Sequence, residues 1–120
     1  MKILMCGDRN YKDEDKVRAV FKSLLMLYNN FEIVQGGASG ADFLANKIAK
    51  EMNITVKEYQ AQWTKYGRAA GPLRNDLMLS DNPDIELVIA FHKNIANSKG
   101  TKSMVEKAIH KGIKVEIISS

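Results

Sequence analysis

Cysteine is nearly absent from this 120-residue chain. Cys6 stands alone inside an apolar run, so no internal disulfide can form; the composition fits a reducing cytoplasm and a packing role for the thiol. Proline occurs only at Pro72 and Pro83, and no low-complexity tract, repeat or linker divides the sequence, so residues 1–120 are expected to form a single domain. No apolar run approaches the roughly 20 residues that cross a bilayer. The opening Met1 to Gly7 breaks into Asp8-Arg9-Asn10 too soon for a signal peptide and reads as a buried strand. No cluster of Cys, His and Asp has metal-ligand spacing, so neither a metal nor a cofactor is expected. The net charge of +4 is mild and the lysines lie among acids, which describes a solvated surface better than a nucleic-acid track.

What the chain does have is a short run of small residues, Gly36-Gly37-Ala38-Ser39-Gly40-Ala41-Asp42. It follows Phe31 to Gln35, an extended run with β-branched residues. It precedes Leu44, Ala45, Ile48, Ala49 and Met52, spaced as on one helix face. A strand that turns through glycines into a helix leaves first-turn N–H groups unpaired, and the helix dipole favours an anion there. The same residues would equally serve a turn that needs small side chains, and the loop alone does not separate the two. Arginine, whose planar fork suits phosphate, is scarce, yet Arg9, Arg68 and Arg74 all fall in or beside strand-to-helix loops.

Taken in order, Lys2–Gly7 reads as a strand, and Asp13-Glu14-Asp15 marks the start of a helix through Val17, Phe21, Leu24 and Tyr28. Phe31–Gln35 is the second strand, the helix after the glycine loop runs to about Met52, and Ile54–Tyr59 is the third strand. Gln60 to Pro72 reads as irregular, with Pro72 opening a short helix through Leu73, Leu77 and Met78. Ile85–Phe91 suits a central strand covered on both faces. A last helix begins near Thr101 and a last strand covers Ile113–Ile118. This alternation predicts a three-layer α/β sandwich, with five mainly parallel strands and four helices. Ligands of such folds sit beyond the carboxyl ends of the strands, where all the unusual loops of this chain lie.

Four motifs in this order carry a resemblance: Gly7-Asp8-Arg9-Asn10-Tyr11; Gly36 to Asp42; Trp63…Gly67-Arg68-Ala69-Ala70-Gly71-Pro72-Leu73-Arg74-Asn75…Met78; and Gly100-Thr101. Together they resemble the YspA/YpsA-related branch of the SLOG superfamily, which includes the LOG phosphoribohydrolases and the Smf/DprA DNA-processing proteins. The resemblance implies a Rossmann-like fold, a nucleotide or nucleotide-derived ligand, and frequent self-association. It places Gly7, Asp8, Arg9, Gly36, Gly37, Ala38, Ser39, Gly40, Asp42, Trp63, Arg68, Gly71, Arg74, Asn75, Ser98, Gly100 and Thr101 at the ligand. In the LOG hydrolases an arginine, matched here by Arg74, works with a glutamate three residues beyond the Gly-Thr threonine. That position is Met104 here, and a thioether cannot replace a carboxylate.

Binding of a phosphate-bearing nucleotide by a sensor or sequestering protein is therefore the leading expectation. Cleavage of an N-glycosidic or phosphate bond is the alternative, with Asp8, Asp42 and Arg74 as candidate catalytic residues. A DNA-binding module is the weakest reading. Asp42 suits a sugar hydroxyl, or equally the backbone amides beside it. Trp63 and Tyr66 suit stacking on a base, or a plug at the edge of the core. His92 is expected on the surface.

Overall fold

Apolar strands joined through helices need cover on both faces. The computed structural model, which describes residues 1–119, supplies it with one sheet between two helix layers. Strand β1 (Lys2–Gly7) lies at the centre, flanked by β2 (Glu32–Gln35) and β4 (Ile85–Phe91); β3 (Val56–Glu58) and β5 (Lys114–Ile118) form the edges. The order is β3-β2-β1-β4-β5, and every pairing is parallel, where the sequence predicted a mainly parallel sheet. Among the described residues no helix is long and apolar enough to cross a membrane.

Four helices of 11 to 14 residues complete the architecture. The first, α1 (Glu14–Leu27), starts as its acids predict: the Asp13 carboxylate accepts from the Lys16 amide at 3.0 Å. With α2 (Ala41–Glu51) it covers one face of the sheet, where Ile3, Met5, Ile33, Ile89 and Phe91 meet Phe21, Leu24, Ala45 and Ile48. The opposite face buries Leu4, Val34 and Val88 under Met78, Leu79, Met104 and Ala108. Strand side chains alternate between faces, so Ile3 and Met5 go one way and Leu4 the other.

The stretch from Gln60 departs from its predicted irregular form. One helical turn, α3 (Trp63–Tyr66), passes through a 3-10 turn (Gly67–Ala69) into α4 (Ala70–Asp81). Pro72 is thus in the first turn of α4, where its missing N–H has no intrahelical partner to lose. Of the apolar residues that mark this helix, Leu73 and Leu77 are 44% and 47% exposed while Met78 is buried; the buried stripe is Gly71, Asn75, Met78 and Leu79. A polar Asn75 within the inward stripe is what disguised it. The second such helix, α5 (Gly100–His110), leads into β5.

Candidate functional site

Strand order reverses at β1. The chain moves outward through β2 and β3, then returns to pair β4 on the other side, so the carboxyl ends of β1 and β4 part into opposite layers. The first loop is fixed there by its own backbone. The Asp8 amide donates to the Phe91 carbonyl at 2.9 Å, and the Asp8 carbonyl accepts from both Tyr11 and Ala41 at 3.0 Å. Its carboxylate accepts from the Asn10 amide at 2.9 Å and stands 4.0 Å from His92 Nε2. His92 Nδ1 accepts from the Asn94 amide at 3.0 Å, leaving the ring proton on Nε2, toward Asp8. The His92 side chain is only 12% exposed, which corrects its predicted surface placement. Continuation of β4 into the crowded switch point, with His92 N–H bonded to the Ile118 carbonyl, encloses it.

The second loop locks onto the first. Gly40 has φ 73°, a conformation that disfavours side chains, and a Cβ on it would strike the carbonyls of Asp8 and Arg9. Ser39 Oγ donates to the Arg9 carbonyl at 3.2 Å. Two amides of the loop itself are engaged by side chains: Gly37 N–H by Gln35 Oε1, and Ala38 N–H by Asp42 Oδ2 at 3.1 Å. Backbone groups this close to a core must be paired, and the two side chains do so. Gln35 is fully buried. Its Nε2 donates to Glu58 Oε1 at 2.8 Å, while Gln60 Nε2 donates to Glu58 Oε2 at 2.8 Å. These amide bonds, from Gln60 first and then Gln35, hold the Glu58 carboxyl below the usual carboxylate range. The first-turn amides of Asp42 and Phe43 have no acceptor within α2.

Asp42 is 7% exposed, and its second oxygen, Oδ1, is buried with no hydrogen-bond partner among the described residues. Burial pushes this carboxyl up to about 6; the Ala38 amide, the Arg74 charge and the nearby Gly36 amide, too far for a full hydrogen bond to Oδ1, oppose the rise, and Glu58 adds to it. The same neighbourhood acts on Cys6. Burial raises the thiol, with Asp42 pushing the same way and Arg74 opposing, so it stays protonated and inert as the sequence predicts.

From the third loop, Arg74 reaches across to the second. Its Nη1 donates to the Gly36 carbonyl at 2.7 Å and its Nε to Asn75 Oδ1 at 3.0 Å. The guanidinium lies where a Gly36 side chain would be, 2.6 Å from a Cβ built there, so this glycine makes room for it. Asn75 is 4% exposed. Trp63 is 60% exposed and rests against Gly71; Arg68 is exposed on the 3-10 turn. The fourth loop is a capped helix start: Ser98 Oγ accepts from the Thr101 amide at 3.0 Å, Thr101 is buried, and open space surrounds Gly100. Among the described residues it makes no hydrogen bond to the first three loops. Met104 is 1% exposed, packed in the core with Leu4, Val34 and Val88.

The structure thus joins Gly7, Asp8, Arg9, Gly36 to Gly40, Asp42, Arg74 and Asn75 into one interlocked set. Trp63 with Gly71 stands beside it, and Ser98, Gly100 and Thr101 form a separate cap. Gln35, Glu58, Gln60 and His92 are polar participants absent from the predicted set. Gln35 gave one signal: a polar residue closing an apolar strand directly before Gly36. A shallow groove of about 280 Å³ runs between the first loop and α2, lined by Arg9, Asn10, Tyr11, Lys12, Gly40 and Phe43. A groove of similar volume between α1 and β5, lined by Val20, Leu24, Leu27 and Ile118, lies on the flank of the sheet away from the glycine loop. Chemically, the interlocked set offers cations at Arg9 and Arg74 and acceptors at Asp42 and Glu58, a pairing suited to a ligand with both anionic and donor groups.

Two comparisons with known proteins bear on the chain's family. The "Gene 61 protein" of Mycobacterium phage D29 is 31% identical over 120 residues, covering 95% of this chain and 93% of that protein. Residues 1–66, which hold the first two loops and end at α3, match the family model described as "YspA, cpYpsA-related SLOG family". On the family match over more than half its length, the chain belongs to the YspA, cpYpsA-related SLOG family.

Proposed function

We propose that this protein binds a phosphate-bearing nucleotide or nucleotide-derived ligand at the carboxyl edge of the sheet, as a sensor or sequestering protein. The observation that carries this reading is the juxtaposition over Gly36. An arginine fixed by the Gly36 carbonyl and Asn75 lies beside a buried aspartate with one oxygen left unpaired. A cation and an unpaired acceptor held at such cost in a core-facing position suit a ligand that satisfies both. Phosphate is assigned to the end near Arg9, where the groove opens beside the start of α2. Family membership supports a nucleotide-related ligand.

Isothermal titration with AMP, ADP-ribose and cyclic nucleotides tests the reading. Arg9→Ala and Arg74→Ala are each expected to weaken binding by about 1.5–3 kcal/mol, as for a charged hydrogen bond. Absence of binding to every phosphate-bearing compound by folded protein would refute it.

A second reading, cleavage of an N-glycosidic or phosphate bond, draws on Asp42. A buried carboxyl that titrates near neutrality suits general acid–base work. Chromatography of the same compounds after incubation decides between the two, since binding alone leaves them intact. A reducing cytoplasm for Cys6 and self-association of the chain belong to the leading reading, and sedimentation velocity tests the latter.

A further inference from the structure

We propose that Glu58 is a specificity-determining residue of this site: its carboxylate, oriented by Gln35 and Gln60, accepts adjacent hydroxyls of the ligand's sugar and turns away a ligand phosphorylated at either of them. The inference rests on the nucleotide reading above and adds to it which end of the ligand lies where.

The geometry begins at Gly37. Its N–H is taken by Gln35 Oε1, which commits the other end of that buried amide, Nε2, to Glu58 Oε1 at 2.8 Å. Gln35 cannot turn over without placing a donor against a donor and an acceptor against a carboxylate, so its orientation is fixed. Gln60 holds the other Glu58 oxygen at 2.8 Å. A carboxylate has about four acceptor positions. These two amides use one on each oxygen and leave one on each for a ligand. Two acceptors on neighbouring oxygens match a pair of vicinal hydroxyls.

Glu58 also lies over the glycine loop: its Cδ is 3.0 Å from where a Gly37 Cβ would be, and its residue is exposed. Asp42 engages Ala38 of the same loop; its buried Oδ1 lacks a partner and its carboxyl feels the Glu58 charge. Arg74 is here committed to the Gly36 carbonyl and Asn75, so the two carboxylates and two capped amides make this end of the loop a reader of donors more than a seat for phosphate. Arg9 stands at the opposite end, beside Gly40. A nucleotide placed with phosphate near Arg9 and sugar toward Glu58 satisfies both ends. An acid in this role accepts a free 2′-hydroxyl, and added phosphate there meets like charge.

The test compares AMP with adenosine 2′,5′-bisphosphate and with 2′-deoxy-AMP, by isothermal titration on wild type, Glu58→Gln and Gln60→Ala. Wild type is expected to favour AMP over the bisphosphate by at least tenfold, and over the deoxy compound by several-fold. In Glu58→Gln both ratios shrink to within about threefold, because the charge and one acceptor are gone. Gln60→Ala, an exposed change that frees Glu58 to swing, lowers the ratios while keeping the charge. A purely structural Glu58 would alter all affinities together and leave the ratios intact, and unaltered ratios in Glu58→Gln overturn the proposal. Circular dichroism confirms that each variant folds; if Glu58→Gln does not, the Gln60→Ala ratios decide. If wild type binds neither AMP nor any other nucleotide, the nucleotide reading itself fails. If AMP binds and the ratios stand, only the Glu58 assignment falls.

Discussion

Asp42 carries an energetic cost that the rest of the fold must absorb. Its Oδ2 serves the Ala38 amide, but Oδ1 is sealed from water without a donor. Burial raises its folded-state pKa to about 6, above the unfolded value. The contribution of this group to stability is therefore complete below about pH 4 and is lost as pH rises through about 6. Asp42→Asn keeps an acceptor for Ala38 and removes the charge. By urea unfolding, its stability relative to wild type is expected to improve by on the order of 2–3 kcal/mol between about pH 4 and pH 7.5. A difference independent of pH would show that the carboxylate is compensated in solution. At this scale the sequence was informative where a residue's own chemistry decides its place in the fold: Gly36, Gly40, Asp42 and Arg74 do meet at the glycine loop. Glu58 was not legible, because its meaning comes from Gln35 on the neighbouring strand, a pairing across 23 positions.

Among the elements, α5 shows most clearly how a fold can close off a chemistry. The position matching the hydrolase glutamate is Met104, and that face of α5 is turned into the core against Leu4, Val34 and Val88. Glu106, two positions on, is exposed and stands 3.9 Å from Lys102. Met104→Glu is expected to destabilise the protein by about 3–5 kcal/mol, since it buries a charge without a partner. Met104→Leu costs less than about 1.5 kcal/mol, as volume-conserving core changes do. Equal stability of the two variants in urea would mean that α5 can rotate to expose the position. The start of α4 was less legible than that of α1. Asp13 announces α1 with a capping carboxylate, whereas α4 grows out of α3 through a 3-10 turn without a side-chain cap. Pro72, Leu73, Leu77 and Met78 mark the helix but not its inward face, because Leu73 and Leu77 are exposed and only Met78 is buried.

For the molecule as a whole, alternation of strand and helix was enough to foresee the layered sandwich, because short connections between parallel strands leave few topologies. What alternation does not reveal is strand order. Ile85–Phe91 is apolar enough for any central position, and its place beside β1 is settled by long-range packing. That placement has a consequence for biosynthesis. Of these five strands, the one synthesised first is the centre of the sheet: Lys2 pairs with Ile85 and Gly7 with Phe91. Until synthesis passes Phe91, one edge of β1 lacks its ladder, and the Leu4 side of the sheet lacks α5 and Met104. A fragment of residues 1–84 contains the whole stretch that matches the family model, yet it is expected to show no cooperative thermal transition by circular dichroism. A sharp transition in that fragment would show that the first three strands fold autonomously. Otherwise the nascent chain carries its central strand with one edge open until β4 follows, a window in which chaperones rather than the sheet shield it.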